Sequence, residues 1–132
     1  MILATPCPNR WDELHHPSYR EVWDRVLAHT RDPYEIRDLF EEDFAHRPEY
    51  IYKYRFGYGF HPIHGIMATY PLKRLHHAAR VFVAGAEDPS LPEHLGYIPK
   101  ESVEAAISEA ERIHGRDASI LFIRNPLAGS RQ

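Results

Sequence analysis

Ten of the 132 residues are histidines. Imidazole is the side chain that titrates unperturbed near neutral pH, and it also serves as a metal ligand. Two of them, His61 and His64, stand three positions apart after the lead Gly57-Tyr58-Gly59-Phe60. If a helix begins at Phe60 or His61, both rings lie on one face and can approach one ion or one substrate. A transition metal needs three or four protein ligands, and no cysteine or carboxylate stands at helical spacing beside this pair. No metal site is therefore expected, which leaves a substrate-pocket or interdomain role beside plain capping and packing. Tyr58 and Phe60 either wall such a pocket or fill the core. A histidine opening a helix after Gly-x-Gly sits where the positive end of the helix dipole would suit a carboxylate. The expected substrate-binding set is thus His61, Tyr58, Phe60 and His64, with His61 and Tyr58 bordering a concave surface; no catalytic residue or metal ligand is assigned.

Other reactive side chains give less. The doublets His15-His16 and His76-His77 fall at element edges, where solvated rings are expected. Cys7, the single cysteine, lies between Pro6 and Pro8, reads as a half-buried small residue and has no accompanying base motif. A lone cysteine cannot form an internal disulfide, which agrees with a reducing compartment. Sixteen basic residues against nineteen acidic ones, spread along the chain for a net charge of −3, leave no basic block to hold nucleic-acid phosphates. No stretch approaches the ~20 apolar residues of a membrane helix, and residues 1–5 are too short for a signal peptide. A cytoplasmic protein with no membrane or nucleic-acid partner is the expectation. Hydrophobic residues at 43% and charged residues at 27% fit a folded chain, expected as a single α/β domain over 1–127 and a loose tail over 128–132.

The elements that would position these groups follow from spacing and punctuation. Apolar residues 2–5, stopped by Pro6 and Pro8, suit a short buried strand. Ser18 and Glu21 form a potential capping box for a helix over 18–29 with the stripe Tyr19, Val22, Trp23, Val26, Leu27; Trp11 and Trp23 are expected to anchor packing. Asp32-Pro33 starts a second helix over 33–45, with Ile36, Leu39, Phe40 and Phe44 inward and Glu35, Asp38, Glu41 and Glu42 mostly outward. Residues 50–60 alternate aromatic and other side chains, which suits a strand or an extended, glycine-ended loop. Helical spacing resumes over 61–76, with Pro71 expected to kink or end the helix. Arg80 to Ala86 and Ser119 to Ile123 are buried-strand patterns flanking a helix over 102–114, capped by Ser102 and stopped by Gly115. Together they predict a parallel sheet of about three or more strands, including 2–5, 81–85 and 119–123, with a right-handed crossover between the last two. Gly85 ends a strand where such sheets place ligands, but Gly85-Ala86-Glu87 is no dinucleotide fingerprint.

The order Arg80 to Ala86, Leu95-Gly96-Tyr97-Ile98-Pro99, Ser102-Val103-Glu104-Ala105-Ala106 and Gly115-Arg116-Asp117-Ala118-Ser119 resembles the closing section of the nickel-pincer lactate racemase family. Upstream, Gly57-Tyr58-Gly59-Phe60-His61 is similar to that family's glycine-containing lead into a histidine-started helix, and Met1 to Cys7 to the strand after its Gly-Gly turn. The resemblance covers nearly the whole chain.

It implies a C-terminal α/β domain that closes over a larger N-terminal domain, the latter holding the nickel-pincer nucleotide and the histidines that shuttle the substrate proton. The expected partners are that racemase domain or a separate subunit, and a small 2-hydroxy acid. The family's domain begins earlier, with a Pro-Leu-Asp-containing helix that has no counterpart here, and Pro62 follows His61 where many relatives carry lysine. A fragment or split subunit is therefore expected, with no cofactor of its own and no racemase or epimerase activity alone. The alternative is a non-catalytic binding or interaction module that keeps the fold.

Overall fold

Three strands form one parallel sheet in the order β1-β2-β3: β1 Ile2–Ala4, β2 Phe82–Ala84 and β3 Ile98–Lys100. The computed structural model describes residues 1–10, 16–57 and 59–123. Leu3 pairs with Val83, and Val83 with Pro99. The expected strands at the start of the chain and after Arg80 are present, and the α/β class with a parallel sheet holds.

The third strand differs from expectation. Residues 119–123 form no strand, and Ile120, Leu121, Phe122 and Ile123 are exposed. The edge position goes instead to Ile98–Lys100, a stretch outside the expected strands and with a proline at its centre. The pairing explains the tolerance. Ile98 donates its N–H to Val81 and Lys100 accepts from Gly85, so the two residues flanking Pro99 make the bonds to β2. The missing N–H of Pro99 faces away from the sheet, where an edge strand can lack it.

Between β1 and β2 the chain is helical. A run over 18–29, α1, consists of Ser18–Glu21, a π-helical stretch Val22–Val26 and Leu27–His29. It is followed by α2 Pro33–His46, α3 Pro48–Phe56 and α4 Ile63–Met67. A 3-10 turn Tyr70–Lys73 then leads into α5 Arg74–His77, so Pro71 breaks the expected long helix into short pieces. Between β2 and β3 lies α6 Ser90–His94, and α7 Val103–His114 closes the order.

Two signals were misread. The Ser18 hydroxyl does not cap Glu21; fully buried, it donates to the carbonyl of Pro62, while Glu21 pairs with Arg25 and Arg47. Of the alternating aromatics, Tyr50, Tyr52, Tyr54 and Phe56 belong to helix α3. Positions i and i+4 satisfy period two as well as a helix, and Tyr52 stacks on Phe56 at 4.6 Å on the surface while Tyr50 turns inward. On α2, Ile36 and Phe44 are buried and Phe40 packs at the edge of the core, but Leu39 is exposed.

The sheet divides the core. Leu3, Val81 and Val83 face the helices α1 to α5, with Val26, Ile36, Phe44 and Ile66 filling the interior. Ile2, Phe82 and Ala84 face α7 through Ala106 and Ala110. His94 of α6 stacks on Trp23 of α1 at 4.4 Å, which puts α6 on the first side. Both strand connections thus lie on one face, as right-handed crossovers give when strands are added in order. Among the described residues α7 alone covers the other face, and its start rests on Ser102, whose hydroxyl oxygen accepts from the N–H of Ala105 at 3.1 Å. Ser102→Ala is expected to lower stability by about 1 kcal/mol, seen as an earlier urea midpoint at unchanged slope. An unaltered midpoint would mean that the cap contributes nothing to holding α7 on the sheet.

Candidate functional site

The expected site around His61 is only partly assembled. Helix α4 begins at Ile63, not at Phe60 or His61, and has five residues. His61 precedes it, and its Nδ1 accepts from the N–H of Ile63 at 3.3 Å. The imidazole therefore occupies one of the donors that an incoming carboxylate would have needed. Its ring meets Tyr54 edge-on at 5.1 Å, and Phe60 packs near His64 at 5.8 Å. Burial, followed by the neighbouring His64 and His46, lowers the pKa of His61 and so disfavours the protonated ring. Phe60 is exposed, His61 and His64 are half-buried, and none of the three lines either cavity described below. Tyr58 lies outside the described residues, as do Trp11 and His15.

The other histidines divide unexpectedly. His76 and His77 are exposed, as expected of a solvated doublet. His16 is 1% exposed, contrary to the same expectation. Its Nδ1 accepts from the N–H of Ser18 at 3.0 Å, which leaves the proton on Nε2 to donate to the carbonyl of Tyr50 at 3.1 Å. His16 ties α1 to α3. Its position beside an apparent helix start suggested a wet edge, and only the tertiary partner Tyr50 reverses that. Cys7 is half-buried, and its thiol pKa is raised by burial and by Asp88 and Glu87, which suppresses the nucleophilic thiolate.

The largest change to the expected picture is a cavity of about 310 Å³ on the helical side of the sheet. Leu3 of the sheet lines its floor, and Val22, Trp23, Leu72 and Leu95 line it from the helical layer and the loop before β3. Gly65 allows the wall to close: a Cβ there would stand 3.2 Å from a Val22 methyl and 3.3 Å from the Ser18 hydroxyl. The polar groups are few. Tyr97 is buried and donates to the carbonyl of Pro71 at 3.3 Å. Burial raises its phenol pKa, while a hydrogen bond and the charge of Arg74 act in the opposite sense.

Arg74 is the charged residue of this cavity. One guanidinium nitrogen donates to Pro71 at 3.0 Å, and its contact with the Tyr97 hydroxyl fixes the group further. Among the described residues it makes no ion pair with a carboxylate. A second cleft of about 410 Å³ adjoins the first, sharing Pro71 and Arg74, and adds Lys73, His77 and Tyr70. Lys73 stands over the rings of Tyr34 and Tyr70 at 5.1 and 4.7 Å. An apolar chamber and a cationic one therefore meet at a single oriented guanidinium, whose planar donors match a carboxylate.

Sequence reasoning passed over Arg74. The available signal was the basic pair Lys73-Arg74 between Leu72 and Leu75, two positions past the helix-breaking Pro71, where a short turn can aim one side chain back toward the core. The described lining of the apolar cavity contains no histidine, carboxylate, lysine or thiol, so it offers no group that exchanges a proton near neutral pH. Among the described residues, no three His, Cys, Asp or Glu side chains gather as a metal would need. No helix of the described residues is long and apolar enough to cross a membrane. No protein-family model matches the chain, and neither a curated protein nor a solved structure matches it.

Proposed function

We propose that this chain is a binding module for a small organic acid with an apolar body. The carboxylate sits on Arg74 and the body enters the cavity over Leu3, Val22 and Leu72. The observation that carries this reading is the half-buried Arg74 guanidinium, oriented by Pro71 and Tyr97 and without a described carboxylate partner, at the mouth of an apolar chamber. A half-buried guanidinium with no carboxylate beside it among the described residues suits an anionic ligand, whose oxygens accept charge-assisted hydrogen bonds. The absence of an acid–base group in the described lining favours binding over turnover.

The resemblance to lactate racemase-like enzymes supports a second, narrower version. A part that encloses a 2-hydroxy acid while a partner domain or subunit holds the nickel-pincer nucleotide needs a carboxylate clamp and no base of its own. Arg74 suits that role better than His61, whose Nδ1 is already engaged. The chamber is roomier than lactate requires, which favours longer acids.

Calorimetric titration with hexanoate, 2-hydroxyhexanoate and methyl hexanoate tests both versions. The acids should bind and the ester should bind far more weakly. Each further CH₂ should tighten binding roughly fourfold, as burial of about 0.8 kcal/mol per group implies. Arg74→Met should weaken the acids by roughly 10- to 100-fold, matching a charged hydrogen bond of about 1.5–3 kcal/mol. Preference for the 2-hydroxy acid would favour the racemase-like version. Equal binding by the Met variant, or no binding by any acid, would rule the site out.

A further inference from the structure

Residues 119–123 pose a problem that the acid site leaves unsolved. Four consecutive apolar side chains, Ile120, Leu121, Phe122 and Ile123, are 64–86% exposed. A contiguous apolar run on a surface marks an interaction site or an aggregation hazard. The composition is that of a strand, with β-branched and aromatic residues and no proline or glycine.

The same chain carries the complementary surface. Among the described residues β1 pairs only with β2, so its other edge is open. The register shows which groups it presents. Phe82 donates to the carbonyl of Met1 and Thr5 donates to Ala84, so the odd-numbered residues of β1 bond to β2. The N–H and C=O groups of Ile2 and Ala4 therefore point to the open edge. An unpaired row of this kind is a template for another strand.

Topology selects this edge over that of β3. The crossovers joining β1 to β2 and β2 to β3 lie on one face, and α7 lies on the other. A right-handed continuation from β3 through α7 must run back across the sheet and arrive beside β1. The order would become β3-β2-β1 followed by 119–123, with the new strand parallel to β1, as in doubly wound sheets. Within one copy the run stays uncovered after leaving α7 at Gly115, which has φ +85°. The short connection over 115–118 is a hinge of the kind that exchanges elements between copies.

We propose that two copies of this chain associate by reciprocal strand exchange, residues 119–123 of each adding in parallel to the open edge of β1 in the other. The exchange is isologous, so it closes at two copies and does not propagate. It covers the apolar run and satisfies Ile2 and Ala4 in one step.

Light scattering coupled to size exclusion, together with backbone hydrogen exchange, tests the proposal on the full chain. The unmodified protein should be a dimer whose residues 119–123 exchange slowly. Two variants attack opposite halves of the contact. Leu121→Asp with Phe122→Asp makes the donor strand polar. Ala4→Pro removes an edge N–H that the β1–β2 pairing does not use. Both should be monomers with an unchanged far-ultraviolet spectrum and fast exchange over 119–123. A monomeric unmodified protein with slow exchange over 119–123 would mean that the strand closes onto its own β1 and would overturn the second copy. A monomer with fast exchange there, or a dimer that survives both substitutions, would overturn strand addition altogether.

Discussion

Phe44→Ala is expected to lower the stability of the folded chain by about 3–5 kcal/mol, a large part of the roughly 5–15 kcal/mol that holds a domain together. The side chain is fully buried. It joins the helical layer at one point, with its ring 5.8 Å from Tyr50 and the guanidinium of Arg47 above it at 5.1 Å. Arg47 is itself held by Glu21 at 2.7 Å and by Asp43, which raise its pKa further. Removing the ring leaves a void and takes away the surface on which this ion-pair group rests. Chemical denaturation gives the number directly. A loss below about 1 kcal/mol would show that the layer collapses freely into the space, contrary to the packing described.

His16→Leu is expected to cost several kcal/mol and to reshape the dependence of stability on acid. The buried imidazole satisfies the N–H of Ser18 and the C=O of Tyr50, and each group left unpaired costs about 1–3 kcal/mol. The pH effect has a definite sign. Burial, with Lys53 and His61 adding, lowers the folded-state pKa of His16, so the unfolded chain takes up a proton first as pH falls. Stability therefore declines on acidification, starting near the ordinary imidazole value of about 6.5 and continuing down to the lowered folded value. His61 contributes in the same direction. The difference between unmodified and His16→Leu unfolding free energies, followed from neutral to mildly acid pH, should shrink as the medium becomes acid. A constant difference would show that His16 does not change its proton affinity on folding.

Local punctuation made α2 and α7 legible. Asp32 accepts from the N–H groups of Tyr34 and Glu35, with Pro33 next to it, and Ser102 and Gly115 bracket α7 much as their residue types require. The strand around Val83 was legible because it is covered on both faces and so reads as an unbroken apolar run. Ile98–Lys100 was not, because edge placement makes its proline harmless and no local pattern announces an edge. The acid site was not legible either. Leu3, Val22, Gly65, Arg74 and Tyr97 come from separate elements, and only the packing of α1 against α4, allowed by the missing side chain of Gly65, sets them around one space. His61 drew attention as a helix-starting residue, but the helix starts two positions later and turns that ring into a cap for its own backbone.

The pairing of Leu3 with Val83, against that of Val83 with Pro99, also bears on the order in which the sheet can assemble. The first contact closes a loop roughly five times longer than the second, and the extra chain entropy amounts to about 1.4 kcal/mol. Three residues of β1 offer few bonds to offset it, whereas β2, α6 and β3 are neighbours along the chain. Assembly therefore favours a nucleus at β2 and β3, with the amino-terminal strand docking only after the helices between have gathered. β1 is held as much by the layer behind it as by its own ladder, and the floor of the cavity at Leu3 forms last.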